Sequence, residues 1–272
     1  MTDPWPPDPE GEVVARLRAA GCVWAEDEAT LLESAATTPA ELETLVARRV
    51  GGEPLELVLG WVDFLGRRLA VAPGVFVPRR RTELLARTTL ERVTSRPARG
   101  GPTVVVEMCC GVAPVAAVLD GTTAEVHAAD IDPAALECAR RNAPKATLHL
   151  GDLFDALPRG LWGRVAVIAA NAPYVPTDRI AAMPPEARDH EPRAALDGGR
   201  DGVDLHRRLC RHGAGWLAPG GALLIETSPP QAPLTSAAMA EAGLEARVVA
   251  GVGIGGCVAV GVKVSRGPVA RA

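Results

Sequence analysis

Short apolar segments alternate with segments of helical periodicity from residue 103 to residue 264 of this 272-residue chain. Because a helix between two strands returns the chain to the same edge of a sheet, this alternation is typical of a doubly wound parallel α/β sheet. Such sheets bind ligands outside the carboxyl ends of their strands. Helices are predicted at about 113–119, 133–143, 201–213 and 229–242, and strands at 103–108, 124–130, 146–150, 164–170, 221–227, 244–250 and 257–264.

The last two predicted strands are separated by a glycine-rich turn, GVGIGG at residues 251–256. A turn of this composition predicts an antiparallel hairpin at the edge of the sheet. An antiparallel last strand after a run of five parallel strands is typical of methyltransferases rather than of dehydrogenases. The expected fold is therefore α/β, with a seven-stranded, doubly wound, Rossmann-like sheet of the methyltransferase type.

The part of the chain that precedes the sheet divides into two segments. Between residues 12 and 50 apolar residues recur at helical spacing, and Gly21 and the Thr38-Pro39 cap signal divide this stretch into about three short helices. The apolar segments at 55–78 predict strands in a short hairpin. The proline-rich residues 1–10 have too little apolar surface to form packed structure. The predicted domains are a small helical domain at 1–50, a hairpin linker at 51–78 and the sheet domain at 79–272.

The chain is 47% hydrophobic but only 3% aromatic, so its core must be aliphatic. Acidic residues outnumber basic ones by 33 to 29, which disfavours nucleic acid or an anionic membrane as the main partner. An acidic start without a long apolar window predicts a cytoplasmic protein that does not enter membranes. The six cysteines form no Cys-x-x-Cys pair, so neither a disulfide framework nor a bound metal is predicted.

Small and acidic residues follow the first three strands of the sheet, where a ligand would bind. The turn after the first strand contains Glu107, Gly111 and Ala113, and small residues there let a ligand approach the next helix N-terminus. Asp130 ends the second strand, where a carboxylate can accept hydrogen bonds from two ribose hydroxyls. Asp152 follows the third strand and is placed to accept from an adenine amino group. Each aspartate alone could be a helix cap, but acids at successive strand ends favour a nucleoside pocket.

The fourth strand runs directly into Asn171-Ala172-Pro173-Tyr174, which contains the only tyrosine of the chain. The Asn171 side-chain oxygen and the Ala172 carbonyl can accept two neighbouring hydrogen bonds, which suits a planar NH2 group. Such a nitrogen is a poor nucleophile, so holding both hydrogens while a methyl donor approaches in line would orient and assist it. The alternative is a tight turn, because Asn-x-Pro is common where strands end. These four residues alone leave both interpretations open.

Five stretches between residues 52 and 264 resemble the HemK-type protein-(glutamine-N5) methyltransferases, which methylate a glutamine side-chain amide in release factors or a ribosomal protein. The last stretch is the most specific, because nucleic-acid amino methyltransferases share the NPPY-like element but not the tail EP-x-x-AL-x-GG-x-DG. The stretches are VFVPRRRTELL at 75–85, DIDPAALECARRNA at 130–143, GDLF at 151–154, NAPYVP at 171–176 and PPEARDHEPRAALDGGRDGVDLHRRL at 184–209.

The resemblance implies S-adenosylmethionine as the cofactor and a protein carrying the target glutamine as the partner. It also implies that the helical segment at 12–50 binds that protein, that Asp130 holds the ribose, and that Asp152 and Leu153 contact adenine. The implied cofactor site comprises Glu107, Cys109, Gly111, Ala113, Asp130, Ile131, Asp152, Leu153 and Asn171. The implied acceptor site comprises Asn171, Ala172, Pro173, Tyr174, Arg79 and Glu83, of which Asn171, Pro173 and Tyr174 are catalytic.

The chain departs from the family pattern at three places. The Gly-x-Gly-x-Gly loop appears as Cys109-Cys110-Gly111-Val112-Ala113, and Asn-Pro-Pro-Tyr appears as Asn171-Ala172-Pro173-Tyr174. The family's PRP-x-TE appears as Pro78-Arg79-Arg80-Arg81-Thr82-Glu83, and the three consecutive arginines are interpreted most simply as a solvated face. Two other functions stay open on these grounds: an amino methyltransferase acting on adenine or cytosine in nucleic acid, and a relative that has lost its cofactor and acts by binding alone.

Overall fold

The computed structural model describes residues 11–95, 101–251, 253 and 255–264. The prediction that residues 1–10 form no packed structure lies outside this part of the chain. Within it, no helix is both long and apolar enough to cross a membrane.

The three helices that the spacing of apolar residues predicted between residues 12 and 50 are present. They bury an aliphatic cluster of their own that includes Leu17 and Leu32. Thr38 caps the third helix by accepting a hydrogen bond from the Glu41 N–H at 3.2 Å, and Pro39 occupies the first turn, where a missing N–H costs nothing. The helices are α1 Glu12–Ala19, α2 Ala25–Ala35 and α3 Pro39–Val50.

The linker is partly helical, which corrects the prediction that it consists of strands. Leu55–Leu59 form a short helix, α4, which ends at Gly60 in the left-handed conformation with a φ of 77°. A continuous apolar run is compatible with either structure. Here Val58 packs into the cluster of α1 to α3 and Leu57 into the core of the sheet, so the helix joins the two. The expected hairpin follows it as β1 Trp61–Phe64 and β2 Arg67–Ala70.

All seven strands predicted for the sheet are present and form one sheet. They are β3 Val104–Met108, β4 Glu125–Asp130, β5 Thr147–Leu150, β6 Val165–Ala170, β7 Leu217–Thr227, β8 Leu244–Ala250 and β9 Cys257–Lys263. In the order β5-β4-β3-β6-β7-β9-β8, the first five run parallel. The strand β9 lies antiparallel between β7 and β8, which confirms the predicted antiparallel hairpin.

In the part of the chain that the structure describes, six α-helices accompany the sheet. Four were predicted: α6 Pro114–Leu119, α7 Pro133–Asn142, α9 Asp204–Trp216 and α10 Ala232–Glu241. Two were not predicted: α5 Glu83–Thr94 and α8 Pro185–His190. The apolar pattern missed α5 because two of its buried positions are threonines, Thr88 and Thr89.

The core of the sheet lies in two layers, one on each face. From Val167 to Ala170 of β6, successive residues enter opposite layers: Val167 packs in the same cluster as Leu85 of α5, whereas Ile168 packs in the cluster of Leu209 of α9. All six residues of β6 are buried, as expected for a strand covered on both faces. The largest fully buried side chains are aliphatic or Met apart from Phe64, which confirms the expected aliphatic core.

A glycine-rich segment packs against the turn that follows β6. Val175 donates its N–H to the Leu196 carbonyl at 3.0 Å and accepts from the Gly198 N–H at 2.8 Å. A Cβ built on Gly198 would lie 2.6 Å from the Tyr174 Cα and 2.8 Å from the Pro173 carbonyl oxygen. Only glycine leaves room for this approach, so the segment around Gly198 braces the turn after β6.

We expect Gly198→Ala to lower the free energy of unfolding by about 1–3 kcal/mol, because the added methyl group would overpack a backbone contact. Gly160→Ala is the matched control: a Cβ at Gly160 would have no atom within 4 Å, and its φ is not positive. The control should change the free energy of unfolding by less than about 0.5 kcal/mol. Urea unfolding followed by circular dichroism measures both, and equal losses would contradict the close approach.

Candidate active site

One cavity of about 550 Å³ opens at the carboxyl edge of the parallel strands. Its volume falls in the range of sites that bind small molecules and cofactors. Its lining includes Gly111, Asp130 and Asp152 from the loops after β3, β4 and β5, and Asn171 and Tyr174 from the turn after β6. Residues predicted for the cofactor and residues predicted for the acceptor therefore share one continuous space.

The loop after β3 has the backbone shape of a glycine-rich loop although it contains a single glycine. The alternate residues Cys109, Gly111 and Ala113 have φ values of 52°, 53° and 60°. In this left-handed region a side chain costs roughly 1–2 kcal/mol, so Cys109 and Ala113 hold strained conformations. At Cys109 and Ala113 the loop therefore has the left-handed backbone that glycine favours.

Two carboxylates flank this loop. Glu107 is 3% exposed and accepts hydrogen bonds from the Val115 and Ala116 N–H groups of α6 at 3.0 and 2.7 Å. The Asp130 carboxylate accepts hydrogen bonds from the Gly111 N–H at 2.7 Å and from the Asp132 N–H at 2.9 Å. Burial raises the pKa of both carboxyl groups, that of Glu107 to about 8. The backbone therefore holds both side chains in place beside the cavity.

Asp152 lines the cavity with its carboxylate already paired. Its Oδ2 accepts from Arg208 Nη2 of α9 at 2.7 Å, a partner that lies 56 residues away in sequence. Leu153 beside it is buried and adopts a left-handed φ of 47°. Ile131 lines the same cavity and is 64% exposed, so it is available to contact a planar ring.

Asn171 has one partner behind it. Its Nδ2 donates to Thr82 Oγ1 at 3.3 Å. Thr82 is 1% exposed and ends a short 3-10 turn at residues 80–82, directly before α5. Because the hydrogen bond uses the nitrogen of the amide, Oδ1 is left as an acceptor in the cavity.

Tyr174 is bound to a fully buried carboxylate at the end of β7. Its hydroxyl donates to Glu226 Oε1 at 3.3 Å, and Arg81 Nε donates to the same oxygen at 3.1 Å. Burial raises the pKa of Glu226, while Thr82, Arg81 and Tyr174 act in the opposite direction. Burial and the neighbouring carboxylate raise the pKa of Tyr174, so its hydroxyl stays protonated.

The arginines at 79 and 81 are not a solvated face, which corrects the simplest interpretation of the sequence. Arg79 Nη2 donates to Glu191 Oε2 at 2.7 Å, and the other oxygen of Glu191 accepts from the Val77 N–H at 3.2 Å. Arg81 pairs with Glu226 as described above. Buried carboxylates require charged or hydrogen-bonding partners, so both arginines are committed to carboxylates that hold the wall of the cavity.

Two residues from α9 and the start of α10 support the turn after β6. Gln231 Nε2 donates to the Tyr174 carbonyl at 2.7 Å and to the Asp201 carbonyl at 3.1 Å. His206 is fully buried, and its Nδ1 lies 2.9 Å from Thr235 Oγ1. Burial lowers the pKa of His206 to about 4, so the imidazole is neutral near pH 7. Its role is therefore structural.

Most of the residues predicted for the site line this cavity, and two do not. Glu83 begins α5 and pairs with the arginine one turn later at 3.5 Å, and Ala113 is fully buried at the start of α6. Sequence reasoning missed Thr82 and Glu226. The sequence contained a signal for Glu226, because it is an acid at the carboxyl end of an apolar strand, next to the last residue of β7, much as Asp130 is at the end of β4.

The Glu107→Gln variant tests the buried carboxyl group. Its pKa is raised from 4.5 to about 8 by folding, so the folded state binds the proton more tightly than the unfolded state. The stabilisation that results from this raised pKa is complete below pH 4.5 and is lost as the pH rises through about 8. Over this range the free energy of unfolding falls by no more than about 1.4 kcal/mol per pH unit. In urea unfolding at several pH values, we expect a shallower decline for Glu107→Gln than for the wild type. Parallel profiles would contradict this assignment.

Known proteins resemble this chain over most of its length, although no family model matches it. A release factor glutamine methyltransferase from Moorella thermoacetica is 36% identical over 247 residues, which cover 81% of this chain and 84% of that protein. One from Geobacter sulfurreducens is 37% identical over 192 residues, covering 69% and 65%. A 4-amino-L-phenylalanine/4-methylamino-L-phenylalanine methyltransferase from Streptomyces pristinaespiralis is 38% identical over 186 residues, covering 66% and 63%.

The chain thus spans slightly less than two thirds of the length of the Geobacter and Streptomyces proteins.

A crystal structure of a methyltransferase from Pyrococcus furiosus is 17% identical in sequence and has a TM-score of 0.49. The superposition covers 66% of this chain and 83% of the Pyrococcus chain. The alignment with the Moorella protein extends over most of both chains at 36% identity. The chain therefore belongs to the HemK-type family of release factor glutamine methyltransferases.

Proposed function

We propose that this protein transfers a methyl group from S-adenosylmethionine to the side-chain amide nitrogen of a glutamine in a protein of the translation machinery, a release factor or a ribosomal protein. The observation that carries the proposal is that Asp130 and Asn171 line the same cavity. A cytoplasmic location and a protein partner follow from this class of substrate.

The residues around Asp130 fit S-adenosylmethionine. Two backbone N–H groups orient the Asp130 carboxylate, which keeps lone pairs for the ribose hydroxyls. A Cβ on Gly111 would meet no atom within 4 Å, so its backbone is open to a ligand. Leu153 and Ile131 offer apolar contacts for adenine beside Asp152. When bound, the sulfonium supplies an activated methyl group that needs neither a metal nor a base.

The turn after β6 suits an amide acceptor. An amide nitrogen is a weak nucleophile because its lone pair is delocalised into the carbonyl. Asn171 Oδ1 and the Ala172 carbonyl would each accept one of its two hydrogens, which orients the nitrogen toward the methyl group. With S-adenosylmethionine bound, the methyl group would pass from its sulfur to this nitrogen, and one of the two protons held by Asn171 and Ala172 would then leave to solvent. No side chain has to change its protonation state, in keeping with the neutral, buried His206.

The helices α1 to α3 are the proposed binding surface for the protein substrate. Arg49 of α3 joins them to the acceptor end, because it pairs with Glu28 of α2 at 2.6 Å and with Glu186 of α8 at 2.8 Å. The residue that follows α8 is Glu191, which holds Arg79 beside the cavity. A substrate bound on these helices would therefore lie on the same framework as the acceptor site.

A free arylamine is the second candidate acceptor. The Streptomyces relative that is 38% identical is named for methylating 4-amino-L-phenylalanine. The nitrogen of an arylamine shares the planar NH2 character of an amide, so Asn171 and Ala172 suit both. Parallel assays with a release factor and with 4-amino-L-phenylalanine separate the two. Methyl transfer to the arylamine alone would identify the protein as an arylamine methyltransferase. A labelled product that nuclease destroys would identify nucleic acid as the acceptor.

Asn171→Ala should abolish most methyl transfer. Loss of one of the two acceptors is expected to lower kcat by roughly 100- to 1000-fold, by analogy with other preorganised hydrogen-bonding groups. Mass spectrometry of a release factor incubated with S-adenosylmethionine measures the gain of one methylene mass on glutamine. Calorimetry with S-adenosylmethionine serves as the control, since the fall in kcat at saturating cofactor should exceed any change in the Kd for the cofactor. Undiminished methylation by the variant would exclude the proposed role of the turn.

Restoring glycine to the loop after β3 should change cofactor affinity little. Because Cys109 and Ala113 already have the φ of glycine, we expect Cys109→Gly to alter the Kd for S-adenosylmethionine by less than about threefold. Gly111→Val should raise the Kd roughly tenfold or more, since a branched side chain resists this conformation. Calorimetry checks both variants. A tenfold gain in affinity on Cys109→Gly would instead favour a relative that has lost cofactor binding.

A further inference from the structure

One wall of the cavity contains a helix that cannot hold its own position. Residues 183–196, here called the acceptor wall, line the cavity on both sides of α8, through Met183 before the helix and Glu191 after it. The helix α8 has six residues, of which only Ala187 is buried. An isolated helix is marginal in water below about 12–15 residues. Contacts with the rest of the protein must therefore fix the place of α8.

Two carboxylates, one at each end of α8, make these contacts. Within the part of the chain that the structure describes, residues 184–191 form hydrogen bonds to other segments only through Glu186 and Glu191. Glu191 is bound by Arg79 at 2.7 Å, as described above. Glu186 accepts a hydrogen bond from Arg49 Nη1 at 2.8 Å. One end of α8 is therefore held at the cavity and the other end is held by α3.

Arg49 is itself fixed between α2 and α3. Its side chain is 9% exposed, and its Nε donates to Glu28 Oε2 at 2.6 Å. Its Nη1 also donates to the Glu53 carbonyl at 3.2 Å. The planar fork of a guanidinium can bind Glu28 and Glu186 at the same time. Because Glu28 and Glu53 restrict this fork, the placement of α2 and α3 determines where Glu186 is bound.

We propose that Arg49 and Glu186 are positioning residues, through which the helices α1 to α3 set the place of α8 and hence of the acceptor wall. This inference rests on the proposed function in one respect, namely that the acceptor wall receives the methyl acceptor. Neither Arg49 nor Glu186 is among the residues that line the cavity, so neither needs to touch the acceptor. A protein that shifts α2 or α3 when it binds would act on the acceptor wall through this ion pair.

Hydrogen exchange tests the inference without any acceptor or cofactor. The reporter is the backbone of residues 184–196, in which the Glu191 N–H closes the last turn of α8. Glu186→Gln keeps the size of the side chain and removes its charge, and the variant should fold because this side chain is 52% exposed. The matched control is Asp189→Asn. Asp189 is 50% exposed and pairs at 2.7 Å with Arg188, within the same helix.

We expect Glu186→Gln to speed exchange in residues 184–196 about three- to tenfold, because a hydrogen bond between two charged groups is stronger than one to a neutral amide. Asp189→Asn should stay within about twofold of the wild type, since an exposed pair contributes little. Mass spectrometry of peptic fragments measures both variants. Unchanged exchange in Glu186→Gln, or equal effects of the two variants, would overturn the inference.

Arg49→Lys tests the other partner of the ion pair. An ammonium lacks the fork that binds Glu28 and Glu186 together, so this variant should also speed exchange in residues 184–196. Adding Glu186→Gln to it should speed exchange little further, because both changes remove one contact. Fully additive effects would count against the inference. If Arg49→Lys does not fold, Glu186→Gln and its control still decide it.

Kinetics supply the second measurement. Glu186→Gln should raise the KM for a release factor roughly three- to tenfold, while the Kd for S-adenosylmethionine stays within about twofold. Equal losses of acceptor and cofactor binding, or faster exchange with an unchanged KM, would overturn the inference. A wild type that methylates no glutamine but shows the expected exchange would overturn the proposed function alone. A wild type that methylates glutamine while Glu186→Gln changes neither exchange nor KM would overturn this inference alone.

Discussion

The parallel pairing of β3 with β4 and β6 is the constraint on which the site depends. Met108, the last residue of β3, lies opposite Ala129 of β4 and Ala170 of β6. The residues that follow these two, Asp130 and Asn171, are therefore brought to the same edge, with neighbouring strands about 4.8 Å apart. The cofactor end and the acceptor end of the cavity lie close together because β3 pairs with β4 on one side and with β6 on the other.

Buried carboxylates hold the walls of this cavity in place. Glu191 ties the segment before α5 to the segment after α8 through Arg79, and Glu226 ties it to β7 through Arg81. A charge removed from water is stable only with good partners, so each carboxylate restricts the backbone that supplies its arginine. Part of the acidic excess of the chain therefore lies inside the protein, where it orders the acceptor end.

Local patterns predicted the sheet, the three N-terminal helices, and the placement of Asp130 and Asn171 at strand ends. They failed for α4, where an apolar run is compatible with helix or strand, and for α5, where buried threonines weaken the periodicity. The family resemblance implied Glu83 for the acceptor site, whereas it is the preceding residue, Thr82, that reaches Asn171. A shift of one residue at a helix start turns the side chain by about 100°, and a sequence motif alone does not locate the start of α5 so closely.

The sequence by itself determined the strand order along the chain, the family of the protein and the identity of the Asn171 turn, because these depend on short-range periodicity and on motifs that are contiguous. Only the tertiary structure decided that Arg79 and Arg81 are paired with buried acids, and that Asp152 is paired with Arg208. It also decided that Thr82 stands behind Asn171. These contacts join residues 56 to 145 positions apart, and no local pattern carries the packing that brings them together.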